Sequence, residues 1–402
     1  MSKVRLTTIT PVHVGSGNVL HYGIDYTTQQ FGDRSYIGII SPKKVMDKFV
    51  RGYENRVNQW VAAIENRSED IQEFVRRFDR NATLRDYCSR MIYKPPTPQV
   101  RQRNEHRRQT KELREHIHNG FGQAYIPGSS IKGAIRTAVL SQMMGDLNDN
   151  NVDEIMKGID LKDKKFAAKP VEQSFFGKEP NSDCFRFLLV GDAMFDDRCE
   201  AAIEMINLNQ RSNNGYIDND KSQWVEAITD SKASHPFNIC IKTEFYESLY
   251  NTAILNQSGG AGKYPIEKSP EGDVSSLFKL INKHTLQLLD EEIEIWKEYT
   301  AEEGVSAYLS AIRSVKTQVK QCQQTGECIL RVGHASGWRF TTGAWTDIYA
   351  DKDQWENIVN ASRPDNEIKY QDLMFPKSRR ISYDGENNAV TLLGFVKLSI
   401  VE

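Results

Sequence analysis

The hydrophobic period of this chain changes several times along its length, and that limits the fold more than any other feature. Val4, Leu6 and Thr8 alternate with Lys3, Arg5 and Thr7, and Ile9 and Pro11–Val14 extend the run. A period of two belongs to a half-buried strand, so residues 3–14 are expected to form one, ended by Gly15-Ser16-Gly17. Tyr36–Ile40 reads as a second extended stretch after a polar loop. From Ser41 onward the period becomes helical: Val45, Phe49, Tyr53, Val57, Trp60, Val61 and Ile64 share one stripe, and Ile71, Phe74, Val75 and Phe78 another. Thr83 and Asp86 have capping-box spacing. Residues 42–93 are thus expected to be helices inserted between strands.

Tyr125 and Ile126 are expected to lead through Pro127-Gly128 into a helix capped by Ser129 or Ser130, with Ile131, Ala134, Ile135, Ala138 and Val139 on its buried face. Asp183–Phe195 and Asn238–Phe245 read as strands, and 274–323 as helical, with an acidic run of seven Asp/Glu and one Lys from Asp290 to Glu303. Cys328–Val332 and Val390–Ile400 read as closing strands. This order predicts an α+β fold in two halves, sheets with helices on one face. The first half spans 1–195, with the helical insertion at about 42–118, and the second 196–402, with the helical segment at about 274–323.

Hydrophobic residues make up 39% of the 402, which is the composition of a folded chain rather than a disordered one. Lys plus Arg number 52 against 54 acids, so the net charge is −2 and decides nothing about partners by itself. The distribution says more. Residues 94–118 hold Lys94, Arg101, Arg103, Arg107, Arg108, Lys111 and Arg114 against three Glu, an excess of 7 − 3 = +4. A solvated linker helix and a phosphate-contacting segment fit that pattern equally. The six cysteines include no CxxC pair, and the sequence has neither a signal-peptide block nor a membrane-length apolar run. A cytoplasmic chain with reduced thiols and no membrane partner is expected.

Three glycine-bearing segments carry the candidate chemistry. In the first, His13, Gly15, Ser16 and Gly17 follow the opening strand, and the glycines let backbone amides approach an anion or a base. Leu20 occupies the third glycine position of a dinucleotide fingerprint, so that motif fails. In the second, Gly128, Ser129 and Ser130 sit at a helix start, where free amides and the positive dipole end attract anions; Lys132 and Arg136, four apart, share a face. In the third, Gly333, His334, Ser336, Trp338 and Arg339 precede Lys377, Arg379 and Arg380. His334, Trp338 and Arg339 suit base stacking or phosphate pairing, although a Trp is as often a core residue. His116 and His118, read on a helix, would diverge and share no metal ion.

Together TPVHVGSG, YIPGSSIKGAIRTA, RVGHASGW, PKSRR and LLGFVKL resemble the RAMP superfamily of CRISPR proteins, and within it the subunits that cap the 3′ end of the guide RNA in type III-A (Csm) complexes. The resemblance spans the chain in outline. It implies two RRM-like, ferredoxin-like halves and binding of the 3′ region of the crRNA by the residues just named. It also implies capping of the backbone filament and help in crRNA 3′-end maturation for antiviral defence. The partners it implies are crRNA, target RNA, the repeated backbone and small Csm subunits, and host nucleases for 3′ trimming. It implies no cofactor, no metal and no catalytic residue. One position stands apart: Asp25 resembles the aspartate with which the repeated backbone subunit cuts target RNA, and the capping role implies that here it is structural or RNA-contacting. Two other readings stay open at this stage. One is a RAMP-type endoribonuclease acting on precursor or target RNA, with His13 or His21 as acid/base; the other is a purely structural scaffold subunit.

Overall fold

The computed structural model describes residues 1–66, 70–95, 112–147, 169–210, 215–250, 264–343 and 376–401. It opens with strands β1 (Ser2–Thr8), β2 (Gly15–His21), β3 (Tyr26–Phe31) and β4 (Arg34–Ile40). Helices α1 (Pro42–Val45), α2 (Glu54–Asn66), α3 (Ile71–Phe78) and α4 (Leu84–Tyr87) precede β5 (Cys88–Lys94) and β6 (Glu112–His116). Strand β7 (Tyr125–Ile126) runs into α5 (Gly128–Gly145). Then come α6 (Lys169–Phe176), β8 (Leu188–Val190), β9 (Ala193–Met194) and the hairpin β10 (Glu200–Asn209) and β11 (Ile217–Ile228). The last elements are β12 (Phe237–Ile241), α7 (Thr243–Tyr250), α8 (Ser275–Trp296), α9 (Val305–Thr325), β13 (Cys328–Arg331), β14 (Ser378–Asp384), β15 (Ala389–Thr391) and β16 (Phe395–Ile400).

Five strands form one sheet in the order β13-β16-β1-β12-β8, every neighbour antiparallel. With α5 after β1 and α8 after β12, the order β1-α5-β8-β12-α8-β16 is a βαββαβ unit of the ferredoxin-like kind. The alternation in β1 buries Val4 and Leu6 completely, against Ile131 and Ile135 of α5 and Phe278 and Ile281 of α8 in one apolar cluster. Each such side chain contributes about 1.5–3 kcal/mol. The second sheet runs β2-β6-β11-β10-β5-β4-β3, with β14 and β15 attached along the far end of β10. Strand β10 is the hinge of this layout, because Ala201 pairs with Tyr93 of β5 while Ile206–Asn209 pair with β14. Both sheets join residues from either side of position 195.

Several expectations change. The first strand stops at Thr8, and the supposed polar loop before Tyr36 contains β2 and β3. β2 lies at the edge of its sheet and is largely exposed, so it carries no apolar alternation to reveal it. The hairpin β10–β11 has no clean period of two because much of β10 is buried on both faces. Residues 88–94 and 112–116, expected within the helical insertion, are strands β5 and β6. The 183–195 run breaks: Asp183 accepts an amide hydrogen bond from Phe185 and starts a tight turn, so extended structure returns only at β8 and β9. The Thr83–Asp86 capping box is present. In the first helical stripe Val45, Phe49 and Trp60 are buried, whereas Tyr53, Val57, Val61 and Ile64 are 38–55% exposed.

Candidate nucleic-acid interface

The first and third glycine segments meet. Val12 exchanges backbone hydrogen bonds with Ile228 of β11, which presents His13 to the sheet. Its Nδ1 lies 2.6 Å from the Glu226 carbonyl oxygen, which fixes that nitrogen as the donor. The His13 carbonyl accepts the His334 amide at 2.8 Å. Gly333 makes this approach possible. Its φ is +81°, and a Cβ there would stand 2.4 Å from the His13 oxygen, so an L side chain fits neither the backbone nor the space. His116 completes the joint: Nδ1 accepts the Val14 amide at 3.2 Å and Nε2 donates to the Tyr125 carbonyl at 3.1 Å. His116 must be neutral to accept at Nδ1, whereas the His13 contact asks only for a proton on Nδ1. Burial, with smaller repulsion from nearby cations and imidazoles, lowers His13 to about 4 and His116 to about 3.

On this joint sits a group of basic side chains from three parts of the chain. Arg114, exposed on β6, repels both Arg380 of β14 and His334. Burial first, then Arg114, push Arg380 below the usual arginine range, with Asp218 in partial opposition. Burial first, then Arg114 and Arg380, lower His334. Two arginines and an imidazole that feel one another in this way offer N–H donors to an anion such as a phosphate. Trp338 is half-exposed in the same 333–338 loop, and Lys377 is half-exposed just before β14.

Other expected contacts are committed elsewhere. Arg379 alternates with Arg380 along β14 and points the other way, giving Nε and Nη2 to Glu292 at 2.8 and 2.7 Å. Tyr308 donates to the same carboxylate at 2.6 Å, while Arg339 reaches Glu291 at 3.2 Å and lies 3.8 Å from Glu292. Glu292, Arg379 and Arg339 are all buried. Burial works to raise the Glu292 carboxyl, but Arg379, Tyr308 and Arg339 outweigh it and hold it below the usual range. Arg379 and Arg339 are therefore core ion-pair residues, drawn inward by the acidic run of α8. Arg136 is likewise engaged, 3.2 Å from Glu172 and 2.9 Å from Asp183, and it lies over the rings of Phe176 and Phe185. Ser336 is buried and donates to the Gly333 carbonyl, bracing its own turn.

At the second segment the helix cap is not a serine. Pro127 stands at the N-cap, and the Gly128 amide donates to Asp192 at 2.7 Å, so an acid already occupies part of the amide-rich end. Ser129 is exposed, and Ser130 and Lys132 are partly so. Burial lowers the Lys132 ammonium, which shares a shallow cavity with Ser129, Leu189, Gly191 and Asn238. In the first segment Ser16 bonds Glu115 at 3.1 Å, and Gly15 and Gly17 lie on β2, Gly17 with φ +95°.

Three groups that matter escaped the sequence reading. Glu226, fully buried, receives both Arg90 Nε and Nη2 at 2.8 and 2.7 Å, and Arg90 also reaches Glu115 at 3.1 Å. His116 lies on a strand, not a helix, so His118 two residues on is its neighbour, with ring centroids 5.9 Å apart. His118 pairs with Glu200 at 3.0 Å; burial opposes its charge, but Glu200 outweighs that and raises it. Glu115, His118 and Glu226 converge closely enough to offer ligand atoms to a cation. The guanidinium of Arg90 already matches both carboxylates, so the group balances its charge with arginine. The Arg101–Lys111 part of the basic segment lies outside the described residues. Asp25 Oδ2 accepts the His21 amide at 2.9 Å and so closes its own turn.

The chain matches the RAMP superfamily over residues 5–338. A protein of Methanocaldococcus jannaschii, the CRISPR system Cms protein Csm5, is 24% identical over 286 residues, 69% of this chain and 63% of that protein. The chain thus spans less than two thirds of that relative. The crystal structure of T. onnurineus Csm5 superposes with a TM-score of 0.64 at 20% identity, covering 99% of this chain and 100% of that one. A chain of the cryo-EM structure of a Csm–crRNA–target RNA ternary complex in a type III-A CRISPR–Cas system gives 0.64 at 19% identity, with 99% and 100% covered. At these identities the likeness is one of fold, and it agrees with the mixed helices and sheets described above. With most of its length matched to the family, this chain belongs to the RAMP superfamily.

Proposed function

We propose that this chain is a non-catalytic RNA-binding subunit of a type III-A Csm effector complex, which holds the 3′ region of the guide crRNA and ends the row of backbone subunits. The observation that carries the reading is the Arg114–Arg380–His334 group, brought together by β6, β14 and the Gly333 loop, whose place beside the first glycine segment neutral histidines help to fix. Such a mount pays its ordering cost at folding, so phosphate binding loses little entropy. Family membership and the likeness to Csm5 folds support the choice of RNA and of Csm subunits as partners. His13 is 2% exposed with Nδ1 bonded to backbone, which disfavours it as a general acid/base, and the Asp25 carboxylate is spent on its own turn. The test is to assemble the complex on a guide and map photocrosslinks. Contacts from Arg114, His334 and Arg380 to the 3′ third of the guide are expected. Contacts confined to the 5′ end would overturn the capping position.

A further inference from the structure

Beside Arg380, on the same face of the large sheet, lies a polar row with unmet hydrogen bonds. Arg380 of β14 pairs with Asn207 of β10, and Asn207 pairs in turn with Asp218 of β11. Directly opposite residues put their side chains on one face, about 5 Å apart, so Asn207 stands between the cation and the acid. Arg380 and Asp218 are half-buried, whereas Asn207 is 8% exposed. Asp218 accepts from Asn209 Nδ2 at 3.1 Å. Asn207 has no such tie: among the described residues its carboxamide meets no hydrogen-bond partner. The row begins where the apolar part of the face ends, with Met205, Val225 and Ala227 packed beside Leu393. Gln223, opposite Met205 at that border, has its Oε1 buried without a partner as well.

A buried amide of this kind destabilises a fold unless something supplies its bonds. We propose that Asn207 and Asp218 bind the ribose 2′-hydroxyl of the nucleotide whose phosphate rests on Arg380, so that the site selects RNA over DNA. The inference rests on the assignment of RNA to the Arg114–Arg380–His334 group and adds the contact that tells the two nucleic acids apart. The chemistry of the row selects this occupant. A carboxylate repels phosphate and accepts only from a donor, and the 2′-hydroxyl is a donor that neighbours the phosphate in a ribonucleotide. A carboxamide donates and accepts, which matches a hydroxyl that does both. An acidic protein side chain on Arg380 would bring Asp218 a second negative charge and no donor. A ribonucleotide brings phosphate and hydroxyl together, at the spacing of neighbouring cross-strand side chains.

The test uses the full chain with two strands of one sequence, one of ribonucleotides and one of 2′-fluoro nucleotides, which keep the sugar pucker but cannot donate. The unaltered chain should favour the ribose strand. Asn207→Leu keeps the volume of the side chain, and Asp218→Asn keeps its shape without the charge. Each should shrink that preference by about twofold to tenfold, the worth of one hydrogen bond. Asn207→Leu should not weaken the fold in urea, because the amide it removes bonds nothing in the described chain. A large loss of stability would make Asn207 a structural residue and overturn the proposal. Arg380→Ala, in contrast, should lower the salt slope by about 0.7 for both strands alike. If it does so while both row variants keep the full preference for ribose, phosphate binding stands and the 2′-hydroxyl contact is refuted. If the row variants change the preference between oligouridylate and oligoadenylate instead, the pair reads a base edge and the proposal falls. If Arg380→Ala leaves both slopes unchanged, the RNA assignment itself fails and the 2′-hydroxyl contact falls with it.

Discussion

Arg379 and Arg380 are adjacent in sequence and opposite in role. Both lie on β14, where successive side chains face opposite ways. Arg379 turns inward to Glu292, Tyr308 and the ring of Trp296 and is 7% exposed. Arg380 turns to the face where Arg114 and His334 repel it. The first environment supplies an opposite charge and leaves nothing to bind. The second gathers like charges, with Asp218 in partial opposition, so an added anion is favoured there. Residue type is the same; the sign of the surroundings separates scaffold from site.

The largest effect that can break this comparison is on stability. Arg379→Ala strands the Glu292 carboxylate in the core and should cost about 3–5 kcal/mol, read from urea denaturation. Arg380→Ala should cost less than about 0.5 kcal/mol. Equal losses would erase the distinction. Next comes pH. The unfolded chain protonates both His13 and His116 near the ordinary histidine value of 6.5, whereas folded His13 waits until about 4 and His116 until about 3. Their folded values are depressed, so the unfolded state binds more protons in between. Stability is full above pH 6.5 and falls as pH drops through that window, by about 2 kcal/mol per ring between pH 7 and 5. His118 is raised, so its stabilisation acts at low pH and fades as pH rises, in partial opposition. His13→Gln should flatten the acid side of the profile; an unchanged profile would mean that the ring is not held neutral.

Gly333→Ala sharpens the comparison from the loop side. It should cost about 1–3 kcal/mol through strain at φ +81° and contact with the His13 oxygen, and it should weaken RNA binding by displacing His334. A variant that folds less well yet binds RNA as before would separate the loops from the site. The smallest expected effect is none. Asp25→Ala should leave the ladder of target-RNA products from the assembled complex intact, and loss of the product nearest the guide's 3′ end would make Asp25 a nuclease residue.

How much of this could be read beforehand depended on whether a strand was recognised. β1 and α5 were legible because Val4, Leu6 and Ile131–Val139 show their periods plainly. β14 was missed, so Arg379 and Arg380 read as one basic patch and their alternation could not be used. The partners that retire Arg136, Arg339 and Arg379 lie 36 to 87 positions away in sequence, beyond any local pattern. His116 was set aside because it was placed on a helix; on β6 the same spacing makes it the buried link between Val14 and Tyr125. The glycines told more, since Gly333 has a role that only its missing side chain allows.

The central claim is that phosphate binding resides in the outward-facing cations and not in the inward ones. It is tested by the salt dependence of guide-RNA binding in the double variant Arg114→Ala plus Arg380→Ala. Two lost phosphate contacts should reduce the slope of log affinity against log salt by about 1.4, with denaturation within about 1 kcal/mol of the unaltered chain. An unchanged slope in a folded double variant would contradict the account.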